Sequence, residues 1–552
     1  MREQSVMAVL GAAALLMLPN CCAATLAPEV SQQEVVRLLE SRFMADRTGA
    51  CVLAAVVEHD NTVRGRYCRR AKPSQAAPPS YSTPMEIGSI SKTMLGLAVA
   101  LLVERDRWSL DDPIVKHLPL QQAKTASIQK ITVRQLLTHM SGLPALPADL
   151  RIDDPANPYA HWTAQDILRA FERAELTAAP GEKSEYSNFG MLVLSVAVDR
   201  AYAGGIVRAL ETELFQPLKM ARSSVASNKS ARAPVVGHDA EGVVVPPWTA
   251  EPEFAGVGFV LSTLDDMAAY ANALLGAEPP ELSAALRLSL TPIYRTYAMA
   301  WRLANIAGAD IALHEGATAG FSSFIALDLH KRRGVIVLAD TGLGDLGGLA
   351  DVGLALLGLE VKVRPPRVTM PPSPELRKAL VGDYSLAGSS FKVWESESRL
   401  MAQGKLGDPF ELLFDSWGDF YPKGFTAILT PSFVDGRIDA FSWRQGGGVT
   451  GGLRVPTTPI AKSSQMVEVQ SLLGSYSLLA NFDLRVFQED GVLKVQGTGQ
   501  PAVTVEVVGK DRVVSAAVGF TIDFVRGQSG DVTSLILRQG ATTLRGERTQ
   551  SR

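Results

Sequence analysis

Ser89 and Lys92 stand three residues apart at the head of "GSISKTMLGLAVALLVER", a run that is apolar almost all round. Residues three apart on a helix share a face. A lysine carried into an apolar interior loses the water that stabilises its charge, so its proton affinity falls. An uncharged or proton-sharing Lys92 can help take the Ser89 proton, which is the arrangement of an activated serine nucleophile. The bland alternative is a capping serine and a lysine that snorkels to water. The spacing alone is weak, since Ser127–Lys130 and Ser389–Lys392 repeat it. The first of these lies in a polar connection. The second lies in a strand pattern, where residues three apart face opposite ways.

Two further stretches carry residues of the right kind. "APGEKSEYSNFGMLVLSVAV" places Tyr186 and Asn188 just before a second apolar helix. A tyrosine there serves as a general base once cations lower its pKa, and Asn188 is suited to hold Lys92 and a substrate carbonyl. Tyr270-Ala271-Asn272 repeats the pattern inside an amphipathic helix that follows the capping signal "STLDD", a structural setting. "IALHEGATAGFSSFIALD" places His314, Gly316 and Ala317 on a strand, with another strand entering at Phe324. Backbone N–H groups on a strand beside a pocket can hold an oxyanion, and Gly316 permits close approach.

The ordered set Ser89-x-x-Lys92, Tyr186-Ser187-Asn188 and His314-x-Gly316 resembles the serine β-lactamase and penicillin-binding-protein superfamily, and in particular its class C β-lactamase-like branch. "LLTHMSGLP" from Leu136 is similar to a leucine-threonine-histidine-threonine-serine-glycine-leucine stretch of that branch, with Met140 replacing a threonine. "HEGATAGF" is similar to its third motif without the leading lysine. The likeness covers Cys51 to about Leu359. It implies an α+β fold, an antiparallel sheet flanked by helices. It further implies that Ser89 attacks a carbonyl to form an acyl-enzyme, that Lys92 and Tyr186 carry protons, and that Asn188 positions the substrate. The N–H groups of Ser89 and Ala317 would form the oxyanion hole. His314 would stand where β-lactamases usually carry a lysine that grips a substrate carboxylate. Histidine is only partly charged near neutral pH, which points away from a true β-lactamase. Penicillin-binding peptidases, D-aminopeptidases and esterases of this branch often carry histidine there. No cofactor or metal is implied.

The elements that must position these residues occupy the first two thirds of a 552-residue chain, long enough for several domains. Arg2, the apolar run Val6–Leu18 and the small residues of "CCAATLA" read as an export signal over 1–27, cleaved after Ala24 or Ala27. The run is too short to span a bilayer comfortably, and no second membrane span is visible, so a periplasmic location is expected. Cys21 and Cys22 raise lipid anchoring, although Pro19 and Asn20 occupy positions where small residues are expected. Cys51 and Cys68 flank two strand patterns around a turn at Glu58 to Asn61, which brings them nearly opposite, either as a disulfide or as two free thiols.

The hydrolase domain is expected over 28–362. A proline-rich linker at 363–376 holds five prolines in "VRPPRVTMPPSPEL". Beyond it the chain repeats itself at a period of roughly 90 residues. "LVGDYSL" from Leu380 returns as "LLGSYSL" from Leu472, and "RQGGGVTGGLR" from Arg444 returns as "RQGATTLRGER" from Arg538. These copies, 377–457 and 467–550, are expected to close into two lipocalin-like antiparallel barrels, since closure removes sheet edges. They would cap the pocket, bind a second molecule or act as spacers. Catalytic domain plus two barrels is similar to the D-aminopeptidase architecture.

The net charge of −3 and the lack of a Lys/Arg run exclude a nucleic-acid binder. Most histidines are scattered without metal-ligand spacing, and His139 in "THMSG" is expected to fix a loop. No G-x-S-x-G elbow supports a different hydrolase fold. Gly256 and Gly258 are read as a tight approach near the site. The expected protein is an exported serine hydrolase acting on small molecules or peptides containing D-amino acids, as a D-aminopeptidase or D-Ala-D-Ala carboxypeptidase-like enzyme. The alternatives are a β-lactamase or esterase of the same fold, or a penicillin-binding sensor that is acylated without turnover.

Overall fold

The computed structural model describes residues 30–549 apart from 59–60, 69–76, 121–125, 153, 155–156, 227–235, 406, 435–436, 447, 456–468, 480–481, 490, 498–501, 510, 516–519, 528 and 540–541. The expected export signal lies outside the described residues. Helix α1 (Gln32–Phe43) opens on a capping box, with Ser31 and Glu34 satisfying each other's backbone donors. Strands β1 (Cys51–Glu58) and β2 (Asn61–Cys68) form a hairpin that sets Cys51 opposite Cys68, and a disulfide joins them.

Four later strands complete the sheet: β3 (Arg302–Ile306), β4 (Ala309–Ala317), β5 (Ser322–Asp328) and β6 (Arg333–Ala339). The order is β2-β1-β6-β5-β4-β3, with every pairing antiparallel. Alternate residues of one strand point to opposite faces. Val52, Ala54 and Val56 of β1 therefore pack with α1, while Leu53, Ala55 and Val57 join a larger core. That core holds helix α2 (Ser91–Glu104), whose first twelve residues are all buried, helix α3 (Asn188–Ala201) and helix α4 (Leu264–Leu274). With cover on both faces, β1 can be apolar along nearly its whole length.

The C-terminal part is two β-barrels. Eight strands from Gly382–Leu386 to Gly448–Arg454 form a closed barrel. Nine more from Gly474–Leu479 to Thr542–Thr549 form a sheet that returns almost on itself, its two edge strands being Val503–Thr504 and Glu506–Gly509. The first barrel is filled by side chains, with the rings of Phe391, Phe410, Phe441 and Trp443 packed against one another at steep tilts. The duplication is legible in one repeated contact. Tyr384 donates to the Leu380 carbonyl, and Arg454 reaches the carbonyls of Ala379, Val381 and Ile438. In the second copy Tyr476 donates to Leu472, and Arg548 reaches Leu473 and Val532. Each pair satisfies carbonyls left free at the end of a short helix.

Prolines make residues 363–373 extended, but the segment is no free spacer. The Arg367 side chain is buried against Asp415 (2.8 Å) and Asp419 (2.9 Å) of the first barrel and lies over Trp417. Its N–H donates to Asp46, and its carbonyl accepts from Arg47. Tyr421 and Ile428 of the barrel belong to the same apolar cluster as α1. The barrel is thus docked on the α1 side of the sheet.

Candidate active site

Ser89 lies in a 3₁₀ turn, Gly88–Ile90, that runs straight into α2. It does not cap the helix: Ile90 holds that position, and no side chain caps the turn. Gly88 adopts a left-handed φ of 48° and faces the Ala317 backbone; a Cβ on Gly88 would stand 2.7 Å from the Ala317 nitrogen. A Cβ on Gly316 would stand 2.1 Å from the Ile87 carbonyl oxygen. The serine turn and β4 meet only because both residues lack a side chain. Ser323 of β5 fastens the contact by donating to the Ile87 carbonyl at 2.7 Å. This brings the backbones around Ser89 and Ala317 together at the C-terminal end of β4.

Lys92 is 0 % exposed and does not snorkel. Its Nζ donates to Ser89 Oγ at 2.8 Å and to the Val257 carbonyl at 2.6 Å. Burial alone pulls its pKa down to about 7. Asn188, expected to hold Lys92, makes no such contact: the Val257 carbonyl does, from the one-turn helix Ala255–Gly258. Gly256 lets that turn press on α2, since a Cβ there would lie 2.7 Å from Leu95. Asn188 is the first residue of α3, half-buried.

Tyr186 stands beside the pair: Lys92 Nζ lies 5.3 Å from its ring centre, and Ser89 is near enough to bear on the phenol's pKa. The residue is 43 % exposed at the surface. At its hydroxyl the surrounding protein nonetheless pushes the phenol above its ordinary pKa, which Ser89 only partly offsets. The expectation that cations lower this pKa is therefore corrected: the nearby amine itself loses its charge near neutrality, and the phenol keeps its proton. His314 on β4 is buried and donates from Nδ1 to the Glu315 carbonyl at 2.7 Å. Desolvation, then Lys92, pull its pKa down to about 4. The expectation of partial charge near pH 7 is corrected likewise, and His314 is a neutral imidazole.

The other serine–lysine pairs do not form such a site. Ser127 and Lys130 are exposed on a 3₁₀ turn, and Ser389 and Lys392 are exposed on a barrel strand. Tyr270 is buried in α4 and donates to Thr93 of α2, a packing contact. Among the described residues, no His, Cys, Asp and Glu group is arranged to hold a metal ion. Sequence reasoning missed Val257 and Ser323. The first acts through its carbonyl, for which no side chain gives a signal. The second is one of two adjacent serines in "GFSSF", and only strand parity tells which one faces Ile87.

With this geometry in view, residues 36–357 match the Beta-lactamase family, more than half of the chain. The chain belongs to that family, within the serine β-lactamase and penicillin-binding-protein superfamily, and adds two C-terminal barrels. It is 26 % identical over 326 residues to Protein flp of Staphylococcus aureus (strain N315), covering 56 % of this chain and 63 % of that protein. It is 25 % identical over 320 residues to Unguisins hydrolase ungD' of Aspergillus campestris (strain IBT 28561), covering 52 % and 58 %. The chain thus spans about three-fifths of the length of the curated relatives it matches. Among the described residues no single helix is long and apolar enough to cross a membrane.

Proposed function

We propose that the protein is an exported serine hydrolase that works through an acyl-enzyme on Ser89. The observation that carries this reading is the Lys92–Ser89 contact of 2.8 Å, made by an amine with a pKa of about 7. At neutral pH a substantial fraction of Lys92 is uncharged and able to take the Ser89 proton as the hydroxyl attacks a carbonyl. Tyr186, protonated and close to Ser89 and Lys92, is placed to relay a proton to the leaving group. The N–H groups of Ser89 and Ala317 face the developing oxyanion. Asn188 and His314 border the substrate. The disulfide supports an oxidising, extracytoplasmic setting.

The substrate class follows from His314. A neutral imidazole supplies no fixed cation for a substrate carboxylate. This favours peptides whose D-amino acid lies at the amino end, as in a D-aminopeptidase, over D-Ala-D-Ala carboxypeptidase or β-lactamase substrates, which present a carboxylate. The same feature favours the esterase reading. That a relative is named a hydrolase of unguisins supports hydrolysis. A panel of D-amino-acid anilides, p-nitrophenyl esters, D-alanyl-D-alanine peptides and nitrocefin tests this: the first two should turn over fastest. Preferential nitrocefin or D-alanyl-D-alanine turnover contradicts the substrate class. A Ser89 adduct that persists for many minutes with every substrate indicates a sensor.

A further inference from the structure

We infer that His139 is a positioning residue that sets the place of the Tyr186 hydroxyl, gripping the chain on both sides of the tyrosine while its ring supports the phenol ring. The inference rests on the reading of Tyr186 as a proton carrier. His139 follows a short helix, Val133–Leu137, and takes a left-handed φ of 55°. This conformation turns its carbonyl and its side chain toward the same loop. The carbonyl accepts from the Glu185 N–H at 2.9 Å. Nδ1 accepts from the Ser187 N–H at 3.2 Å. Residues 185 and 187 flank Tyr186, so one residue fixes the peptide at both neighbours. The imidazole also lies 4.4 Å from the Tyr186 ring, tilted by 36°.

A backbone N–H donating to Nδ1 requires a lone pair there, so the ring must be the neutral tautomer with its proton on Nε2. Burial, then Lys92 and His314, pull its pKa down to about 3, so this acceptor persists at any working pH. Around it the loop is pinned further. Ser187 caps α3 through Gly190 at 2.9 Å and donates to the Pro144 carbonyl at 2.7 Å, and Gly181 donates to Met140. His139 alone among these contacts touches both neighbours of the tyrosine and its ring. Displacing a proton-carrying hydroxyl by about 1 Å can cost on the order of 100-fold in rate.

Three variants test this with a p-nitrophenyl ester. His139→Phe keeps an aromatic face and removes the Nδ1 acceptor; kcat should fall by about 10–100-fold with KM within about threefold. His139→Asn supplies an acceptor oxygen near the Nδ1 position and tolerates the left-handed backbone; it should stay within about fivefold of the parent. In a Tyr186→Phe background, His139→Phe should cost less than about twofold more, since both changes then act on one missing hydroxyl. The same loss with and without Tyr186 overturns the inference, as does a His139→Asn variant that loses as much as Tyr186→Phe. Should His139→Phe not fold, the His139→Asn result decides alone. Ser89→Ala separates the two levels. If it keeps activity, the reading of the site itself fails. If it is inactive while His139→Phe runs at the parent rate, only the role of His139 fails.

Discussion

Two cations are buried equally deeply here and serve opposite ends. Arg367 and Lys92 are 2 % and 0 % exposed. Arg367 meets two carboxylates, Asp415 and Asp419, and stacks on Trp417, so its charge faces two anions where the first barrel joins the sheet. Lys92 meets only a hydroxyl and a carbonyl, and no charge enters the account of its lowered pKa. A buried cation with partners holds structure together. One without an anionic partner gives up its proton more readily, and that makes it useful beside a serine. The stability lost at Lys92 is tolerated because α2 is apolar on every other side.

The comparison can be broken at either end. Ser89→Ala should lower hydrolysis by at least about 10⁴-fold, measured with the ester, while leaving the melting temperature near the parent value. Ser89→Ala with near-parent turnover, or the loss arising instead from Ser127→Ala or Ser389→Ala, would move the site elsewhere. Lys92→Met should cost about 10³-fold or more in acylation and yet stabilise the fold. The sign follows from proton counting. The unfolded chain keeps the Lys92 proton up to about pH 10.5, whereas the folded chain releases it near pH 7. Between those values the unfolded state binds more protons, so stability attributable to Lys92 rises with pH, at up to about 1.4 kcal/mol per pH unit. Below pH 7 the full burial penalty stands. Urea unfolding from pH 7 to 10 should show this rise in the parent and lose it in Lys92→Met. A Lys92→Met protein that is less stable than the parent at pH 7 contradicts the unpaired-cation account.

At the other end, Arg367→Met should destabilise by about 3 kcal/mol, because buried Asp415 and Asp419 then keep only their longer contacts, to Arg47 at 3.5 Å and to Arg444 at 3.6 Å. Ser89 acylation at 25 °C should change less than about twofold, since the arginine lies on the α1 side of the sheet and the serine on the α2 side. Asp419→Asn, which keeps a polar partner and Asp415, should cost only about 1–2 kcal/mol. If Arg367→Met unfolds at the parent urea concentration, the docking of the barrel rests on Tyr421 and Ile428 instead.

Much of this was legible beforehand, for reasons that differ by residue. Ser89 and Lys92 announce themselves because a lysine inside an apolar helix contradicts its surroundings. The barrels announce themselves through repetition, and the structure repeats even the placing of an arginine over a tyrosine ring, Arg454 over Tyr384 and Arg548 over Tyr476. The hairpin partners Cys51 and Cys68 follow from strand counting. What stayed hidden depends on three-dimensional neighbours. The Val257 carbonyl carries no sequence signal. The proton state of Tyr186 and His314 depends on how protein crowds their polar ends, which composition does not reveal. The proline-rich stretch reads as a linker because its prolines dominate its pattern. Only the fold shows Arg367 meeting Asp46, Asp415 and Asp419 from distant parts of the chain.

The most direct test of the central claim is the pH dependence of a single acylation event. The rate at which a fluorophosphonate labels Ser89 should rise with pH and reach half its plateau near pH 7, the value set by the desolvated Lys92 amine. A midpoint near 10, a midpoint below 5, or a flat profile from pH 5 to 9 would contradict the assignment of Lys92 as the group that takes the serine proton.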